Sequence, residues 1–400
     1  MDFIYNFNLH LSKEFSKKLV SPKLINIILQ MKILLLADPA STHTLKWVTA
    51  LSGKGLQIFL FGLNSVDTEL YDHPNIKLYS FNLSKMIRFN SSKTSLSKLI
   101  YLKALIQIKS LIKEIKPDIL HAHYASSHGL LGALSGFQPY IISVWGSDVL
   151  TFPKISVFHK KLLKFSLSKA NIILSTSKYL AKETANYTNK TIQDTPFGVD
   201  LTKFKYSNSR EVFDEGDIVI GTVKSLEKIY GIDTLIKAFS VVKKKHENIS
   251  LKLLIVGNGS EEKVLKKLAG EIYGGKDIIF KDFVNHDIIH KYHNMIDIPV
   301  YLSNQESFGV AVIEAMACYK PVIVSGVGGF REIVTDGQEG FIVPPSDVDA
   351  AAEAISKLII NTKLRRIFGY NGRKKVEKLY DWEKCVDKMI QIYEETIKLS

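Results

Sequence analysis

A chain of 400 residues, 46% hydrophobic and 23% charged, is globular and exceeds what one core usually organises, so two domains are expected. With only Cys318 and Cys385, no apolar run of the ~18 residues that span a membrane, and no basic start leading to a small-residue cleavage site, the chain is predicted to be cytoplasmic and not a disulfide scaffold. The net charge of +13 lies almost wholly in residues 1–200, with 24 Lys+Arg against 12 Asp+Glu, whereas residues 201–400 carry 29 against 28.

Residues 1–30 give no domain signal beyond Phe15, Leu19 and Val20 on one face of a short helix, and are treated as an N-terminal extension. Lys32 to Asp38 is a buried-strand pattern, Pro39 to Thr44 a polar turn, Leu45 to Leu51 an amphipathic helix and Gln57 to Phe61 a second strand. This βαβ opening predicts an α/β fold whose ligands bind at the carboxyl ends of the strands. His43, in the first such turn, is a candidate acceptor or donor contact, the alternative being a solvated turn histidine. Leu99 to Ile115 reads as a helix, followed by the strand and turn through His121 and His123, which alternation sends to one side. No nearby cysteine or carboxylate pair turns them into a metal site. Tyr140 to Trp145 is a strand ending in Gly146-Ser147-Asp148, where Asp148 is either a ligand contact or a helix cap.

Lys85 to Lys116 holds eight basic residues and one acid, and Lys154 to Lys169 five lysines and no acid. Such faces attract anionic lipid head groups. Neither run interleaves the aromatics of a nucleic-acid stacking platform, so an anionic membrane surface is the expected partner and nucleic acid is not. Ile172 to Ser177 and Pro196 to Asp200 close the first domain, residues 31–206, and 207–216 is the polar linker. The second domain, 217–380, opens with the strand Ile218 to Val223, and Lys224 at its end is a cation suited to a diphosphate. Gly257-Asn258-Gly259 after the strand Leu251 to Val256 lacks the third glycine and the acid of a dinucleotide fingerprint, though it fits close backbone approach at the nucleotide side. Asp347-Val348-Asp349 has the spacing of a metal motif but opens an Ala-rich helix, where Asp347 reads as a cap.

Ser303 to Gly329 is the most informative stretch. Gly309 to Cys318 reads as a buried helix whose first amides, near Phe308, Gly309 and Val310, are a candidate anion site, with Gly309 admitting a ligand close to the backbone. Glu306 lies before the helix and Glu314 roughly 9 Å further along its axis, about the span of a diphosphate with a sugar at each end. A glutamate among Ile313, Ala315 and Met316 needs a partner, either a pair of ribose hydroxyls or a salt bridge.

E-S-F-G-V-A-V-I-E-A-M-A-C followed by P-V-I-V-S-G-V-G-G resembles the E-x7-E signature of the family-4 retaining glycosyltransferases. The resemblance spans roughly residues 31–398 and implies a GT-B fold, two Rossmann-like domains facing across a cleft, with a C-terminal helix, 381–400, crossing back to the first. Since members of that family commonly open at such a strand, Met31 is read as the natural start, the alternative being a membrane-facing extension. By the same resemblance, His123 in D-I-L-H-A-H contacts the donor sugar, and the loop holding Asp148 faces the acceptor. Lys224 stands where the family usually has Arg, and Tyr230 directly before Gly231 where it usually has Lys, leaving Lys228 as the second cation. Main-chain groups at Phe283 and Val284 hold the base, Glu314 the ribose, and Glu306 faces the sugar near the anomeric carbon. Tyr319 replaces a common helix-ending glycine, and Arg331 a frequent proline.

The function implied is transfer of a hexose-type sugar, with retention, from a nucleoside-diphosphate donor, expected to be UDP-linked. The acceptor is lipid-linked or a cell-surface polysaccharide, at the cytoplasmic membrane face. Neither metal nor cofactor is expected, and front-face and double-displacement routes both stay open. The alternatives are a non-catalytic polysaccharide-assembly subunit and a phosphorylase or epimerase on the same fold; a nicotinamide oxidoreductase lacks its glycine fingerprint.

Overall fold

A computed structural model describes residues 31–81, 95–208, 210 and 212–399. The extension 1–30, part of the basic run 85–116 and two positions of the linker 207–216 lie outside them.

Contacts gather the described residues into two compact units, one with those up to His123, Ser127–Ile141 and those from Glu395 on, the other with Tyr124–Ser126 and those within Ile142–Glu394. Among the described residues, thirteen strands form two sheets. The first is ordered β3-β2-β1-β4-β5-β6-β7, from β1 (Lys32–Leu36), β2 (Gln57–Gly62), β3 (Ile76–Ser80), β4 (Ile119–His123), β5 (Tyr140–Val144), β6 (Ile172–Ser175) and β7 (Ile192–Asp194). The second is ordered β10-β9-β8-β11-β12-β13, from β8 (Ile218–Val223), β9 (Leu251–Val256), β10 (Ile278–Lys281), β11 (Ile298–Tyr301), β12 (Val322–Ser325) and β13 (Gly340–Val343). Every register recorded is parallel, for example Ile33 opposite Ile58 and Ile119, and Ile220 opposite Leu253 and Ile298.

Parallel strands covered on both faces read as unbroken apolar runs, and β1, β4, β5, β11 and β12 are buried almost throughout. Each sheet places its first strand beside its fourth and reverses direction there, which opens a crevice at the strands' carboxyl ends. That is the doubly wound, Rossmann-like arrangement, repeated, of a GT-B protein. The segment after β1 leads to His43 and β4 ends at His123; the loops after β8 and β11 carry Lys224 and Glu306. His43, His123, Lys224 and Glu306 thus lie at the two switch points.

Helix positions follow the apolar periodicity, with shifted ends. The helix expected from Leu45 spans Thr42–Gly53, so His43 lies in its first turn and not in the preceding loop. Asp347 accepts the Ala350 amide at 2.9 Å and caps the helix Val348–Ile360, as expected. In the connector, Arg210 binds Asp297 at 3.1 Å, and Asp297 also accepts the Val219 amide at 3.0 Å, which ties the connector to the second sheet. After the helix Thr362–Leu379, the Val199 amide donates to Tyr380 O at 2.8 Å and the Trp382 amide to Val199 O at 3.1 Å, bringing the chain back to the segment after β7 before the helix Trp382–Lys398. No helix among the described residues is long and apolar enough to cross a membrane.

Candidate active site

Three loops knit together beyond the ends of β8, β9 and β11. The Lys224 amide donates to Val256 O at 3.0 Å, the Leu226 amide to Asn258 O at 2.8 Å, and the Asn304 amide to Ile229 O at 2.7 Å. Glycines allow this closeness. A Cβ on Gly257, at φ +139°, would lie 2.1 Å from Lys224 O, and one on Gly259 2.4 Å from Leu226 O. The Gly257-x-Gly259 pair therefore serves loop-to-loop packing.

The product of this packing is an ion pair. Lys224 Nζ stands 2.6 Å from Glu306 Oε2, with side-chain exposures of 15% and 11%. The same ammonium lies 4.3 Å above the centroid of Tyr230, where the negative ring face attracts it. Behind Glu306, the Gly329 amide donates to its carbonyl at 3.1 Å, and Gly328 at φ +45° comes so near that a Cβ would sit 1.9 Å from that oxygen. Lys228 takes a different setting: it lines a cavity of about 590 Å³ with Thr234, Glu261, Asn304 and Ser346. An aromatic ring supports Lys224 from one face.

The helix predicted from Gly309 begins at Val310 and ends at Ala317. Phe308 is buried, its ring edge-on to Tyr380 at 5.6 Å. Gly309, at φ +122°, is required on its Cβ side, where a Cβ would meet the Phe330 ring at 2.8 Å. That requirement is conformational and steric. The amides of Phe308, Gly309, Val310 and Ala311 make no hydrogen bond among the described residues, as expected of the first turn of a helix.

Glu314 is 5% exposed and both its oxygens are engaged, Oε1 with His286 Nε2 at 3.0 Å and Oε2 with His293 Nε2 at 3.2 Å. Burial alone would raise its pKa; the two imidazole hydrogen bonds override that and hold the carboxyl well below its ordinary range. The rings of His286, His290 and His293 surround Phe204 at 5.7, 6.3 and 5.9 Å. Sequence reading missed this partnership, although a glutamate in an apolar helix demanded partners and three histidines lay within eight positions upstream of β11. Phe283 is 66% exposed and Val284 buried, on the segment after β10. Their backbone groups make no hydrogen bond among the described residues.

At the first sheet's switch point, His121 and His123 share one side of β4, their rings T-shaped at 4.7 Å. His121 is fully buried, which pushes its pKa down to about 3. His123, 3% exposed, is held well below its ordinary value by burial first and then by the charges of His121, His128 and His43. A neutral imidazole at this place is a hydrogen-bonding group, not a cation. Asp148 departs from its expected acceptor role. It is fully buried in the short helix Ser147–Leu150, where it accepts the amides of Ala125, Trp145 and Gly146 at 2.8, 3.2 and 2.8 Å. Burial raises its pKa despite these bonds; the side chain ties two loops together and presents no oxygen to a sugar. No group of three His, Cys, Asp or Glu among the described residues is placed to hold a metal ion.

The family described as "Glycosyl transferases group 1" matches residues 205–375, and "Glycosyl transferase 4-like" matches 32–177. The chain is 30% identical over 301 residues to the uncharacterized glycosyltransferase MJ1178 of Methanocaldococcus jannaschii, covering 72% of this chain and 78% of that one. It is also 30% identical over 324 residues to the capsular polysaccharide biosynthesis glycosyltransferase CapM of Staphylococcus aureus, covering 75% and 82%. In fold it resembles the sucrose-phosphate synthase of Thermosynechococcus elongatus, with TM-score 0.78 and 21% identity over 92% of this chain and 100% of that one. Anabaena HepE in complex with UDP superposes with TM-score 0.76 and 19% identity over 91% and 100%. Two matched family descriptions laid over the two sheets, together with relatives aligned across most of their length, show that the chain belongs to the group 1 glycosyltransferases.

Proposed function

We propose that this glycosyltransferase moves a hexose-type sugar from a nucleoside-diphosphate donor, UDP-linked, to a lipid-linked or polysaccharide acceptor at the cytoplasmic membrane face, with retention and without a metal ion. The observation that carries the reading is the Lys224–Glu306 pair beside the unbonded amides of Phe308 to Val310. A positioned ammonium and the positive end of a helix are what a departing diphosphate needs, and a carboxylate beside them suits a sugar centre that becomes positive as its bond breaks. Lys224 neutralises the leaving group and Glu306 faces the anomeric carbon. His123, neutral, hydrogen-bonds the sugar, with His43 acting on the acceptor side. Glu314, oriented by His286 and His293, receives the ribose, and the backbone at Phe283 and Val284 receives the base. Lys228 contributes its charge from the rim.

CapM's assignment to capsular polysaccharide synthesis and the UDP bound by HepE support the acceptor and donor classes. The test is a thermal-stability screen of nucleotide sugars on the parent protein, because a ligand of the folded state raises its apparent stability. The stabilising donor is then followed for turnover, with EDTA added, and product configuration is read by NMR. Stabilisation by UDP-sugars, turnover that survives EDTA and a retained anomer are expected. No stabilisation, complete loss with EDTA or an inverted product overturns the reading.

A further inference from the structure

The corner between the helix Phe152–Ile155 and the helix Val157–Lys169 presents three large apolar side chains to solvent within four positions: Ile155 at 62% exposure, Val157 at 71% and Phe158 at 62%. Scattered exposed apolar residues are ordinary; a contiguous group is an interaction site. The corner is firmly built. Ser156 caps the second helix, accepting the His159 amide, and its hydroxyl bonds His159 Nδ1 at 2.8 Å. Phe152 packs edge-on against the same imidazole at 4.9 Å, and Leu163 and Leu167 anchor the helix in the interior.

Around this apolar tip stand Lys154, Lys160, Lys161 and Lys164, all exposed. No Asp or Glu occurs between Asp148 and Glu183. An apolar tip ringed by one sign of charge, in a segment that itself carries no acid, is complementary to an anionic bilayer: the lysines meet the head groups while the tip enters the acyl boundary.

We propose that Ile155, Val157 and Phe158 insert into the surface of an anionic membrane, with Lys154, Lys160, Lys161 and Lys164 held at the phosphate level. This rests on the membrane-face acceptor proposed above and names the element that would hold the enzyme there.

The experiment uses the full chain and vesicles of phosphatidylglycerol with phosphatidylcholine, against phosphatidylcholine alone. Co-sedimentation with the anionic vesicles only is expected. Lys160→Ser/Lys161→Ser should weaken it about fivefold per lysine, and Val157→Ser/Phe158→Ser at least tenfold. A Phe158→Trp variant should gain an emission component, beyond the parent's own tryptophans, that shifts to the blue on binding and is quenched by brominated acyl chains. Donor-induced thermal stabilisation is measured on the same variants. Lost vesicle binding with intact donor stabilisation shows the corner acting apart from the catalytic site. Vesicle binding by a protein that no nucleotide sugar stabilises would sink the donor reading alone. Parent-like binding by Val157→Ser/Phe158→Ser, an unquenched reporter on bound protein, binding of duplex DNA in place of vesicles, or a dimer that the apolar substitutions disperse would each overturn the proposal.

Discussion

Replacing Lys224 by Met tests the centre of the site, because its partner is known to the atom. At 2.6 Å and an effective dielectric of about 20, the gross attraction between Lys224 and Glu306 is about 6 kcal/mol. Most of that offsets the desolvation of two charges, so the pair's net worth is small, whereas removing one member strands the other. A fully buried partner left alone costs about 3–5 kcal/mol; with side-chain exposures of 15% and 11%, about 2–3 kcal/mol is expected. Loss of the contact with Tyr230 adds about 1 kcal/mol. Glu306→Gln should destabilise by a similar amount, and Lys224→Met/Glu306→Gln, which strands nothing, should be less destabilised than the sum of the singles by about 2 kcal/mol. Activity should behave differently. Each single change lowers turnover of the stabilising donor by about 10² to 10³, and the double variant recovers none of it. Urea unfolding followed by tryptophan fluorescence measures the first quantity, and release of nucleoside diphosphate the second. Full turnover in either single variant, or recovered turnover in the double, would refute the assignment; strictly additive stabilities would refute the coupling.

Gly309→Ala places a Cβ 2.8 Å from the Phe330 ring at φ +122°; backbone strain and overpacking together should lower stability by about 2–4 kcal/mol, and an unchanged unfolding midpoint would show that the ring yields freely. Glu314→Gln should cost about 1–3 kcal/mol at neutral pH and abolish donor-induced stabilisation. Because the folded carboxyl is held below its ordinary 4.5, its contribution is complete above that value and fades as pH falls beneath it, so the gap between parent and variant must narrow in acid; a constant gap contradicts the hydrogen-bonded carboxylate. His121, lowered from 6.5 to about 3, takes no proton in the folded state while the unfolded chain does. Stability should therefore drop by about 2 kcal/mol between pH 6.5 and pH 5 on its account, and His121→Gln should flatten the urea-midpoint profile over that range; parallel profiles would dismiss the effect.

Much of this protein is legible in the chain alone. Apolar runs of strand length, each followed by a polar turn and an amphipathic helix, leave few arrangements besides parallel sheets, and turns at strand ends locate ligands before any coordinate is known. Lys224, Glu306 and Asp347 stand out in the chain that way, because a charge between a buried strand and a helix, or a carboxylate at a helix start, has few uses. What the chain alone could not decide was which of two physical needs a residue meets. Gly257, Gly259 and Gly309 look alike whether the vacancy is meant for a ligand or for a neighbouring carbonyl or ring, and only their surroundings, Lys224 O, Leu226 O and Phe330, decide it. Asp148 reads the same as an exposed contact or a buried loop tie until three amides are seen to converge on it. His286 and His293 stand 28 and 21 positions from Glu314. Local propensity and periodicity act over a few residues, so the choice between burial and exposure, and of the partner a buried charge finds, belongs to the tertiary structure, where desolvation makes an unmatched group too costly to leave.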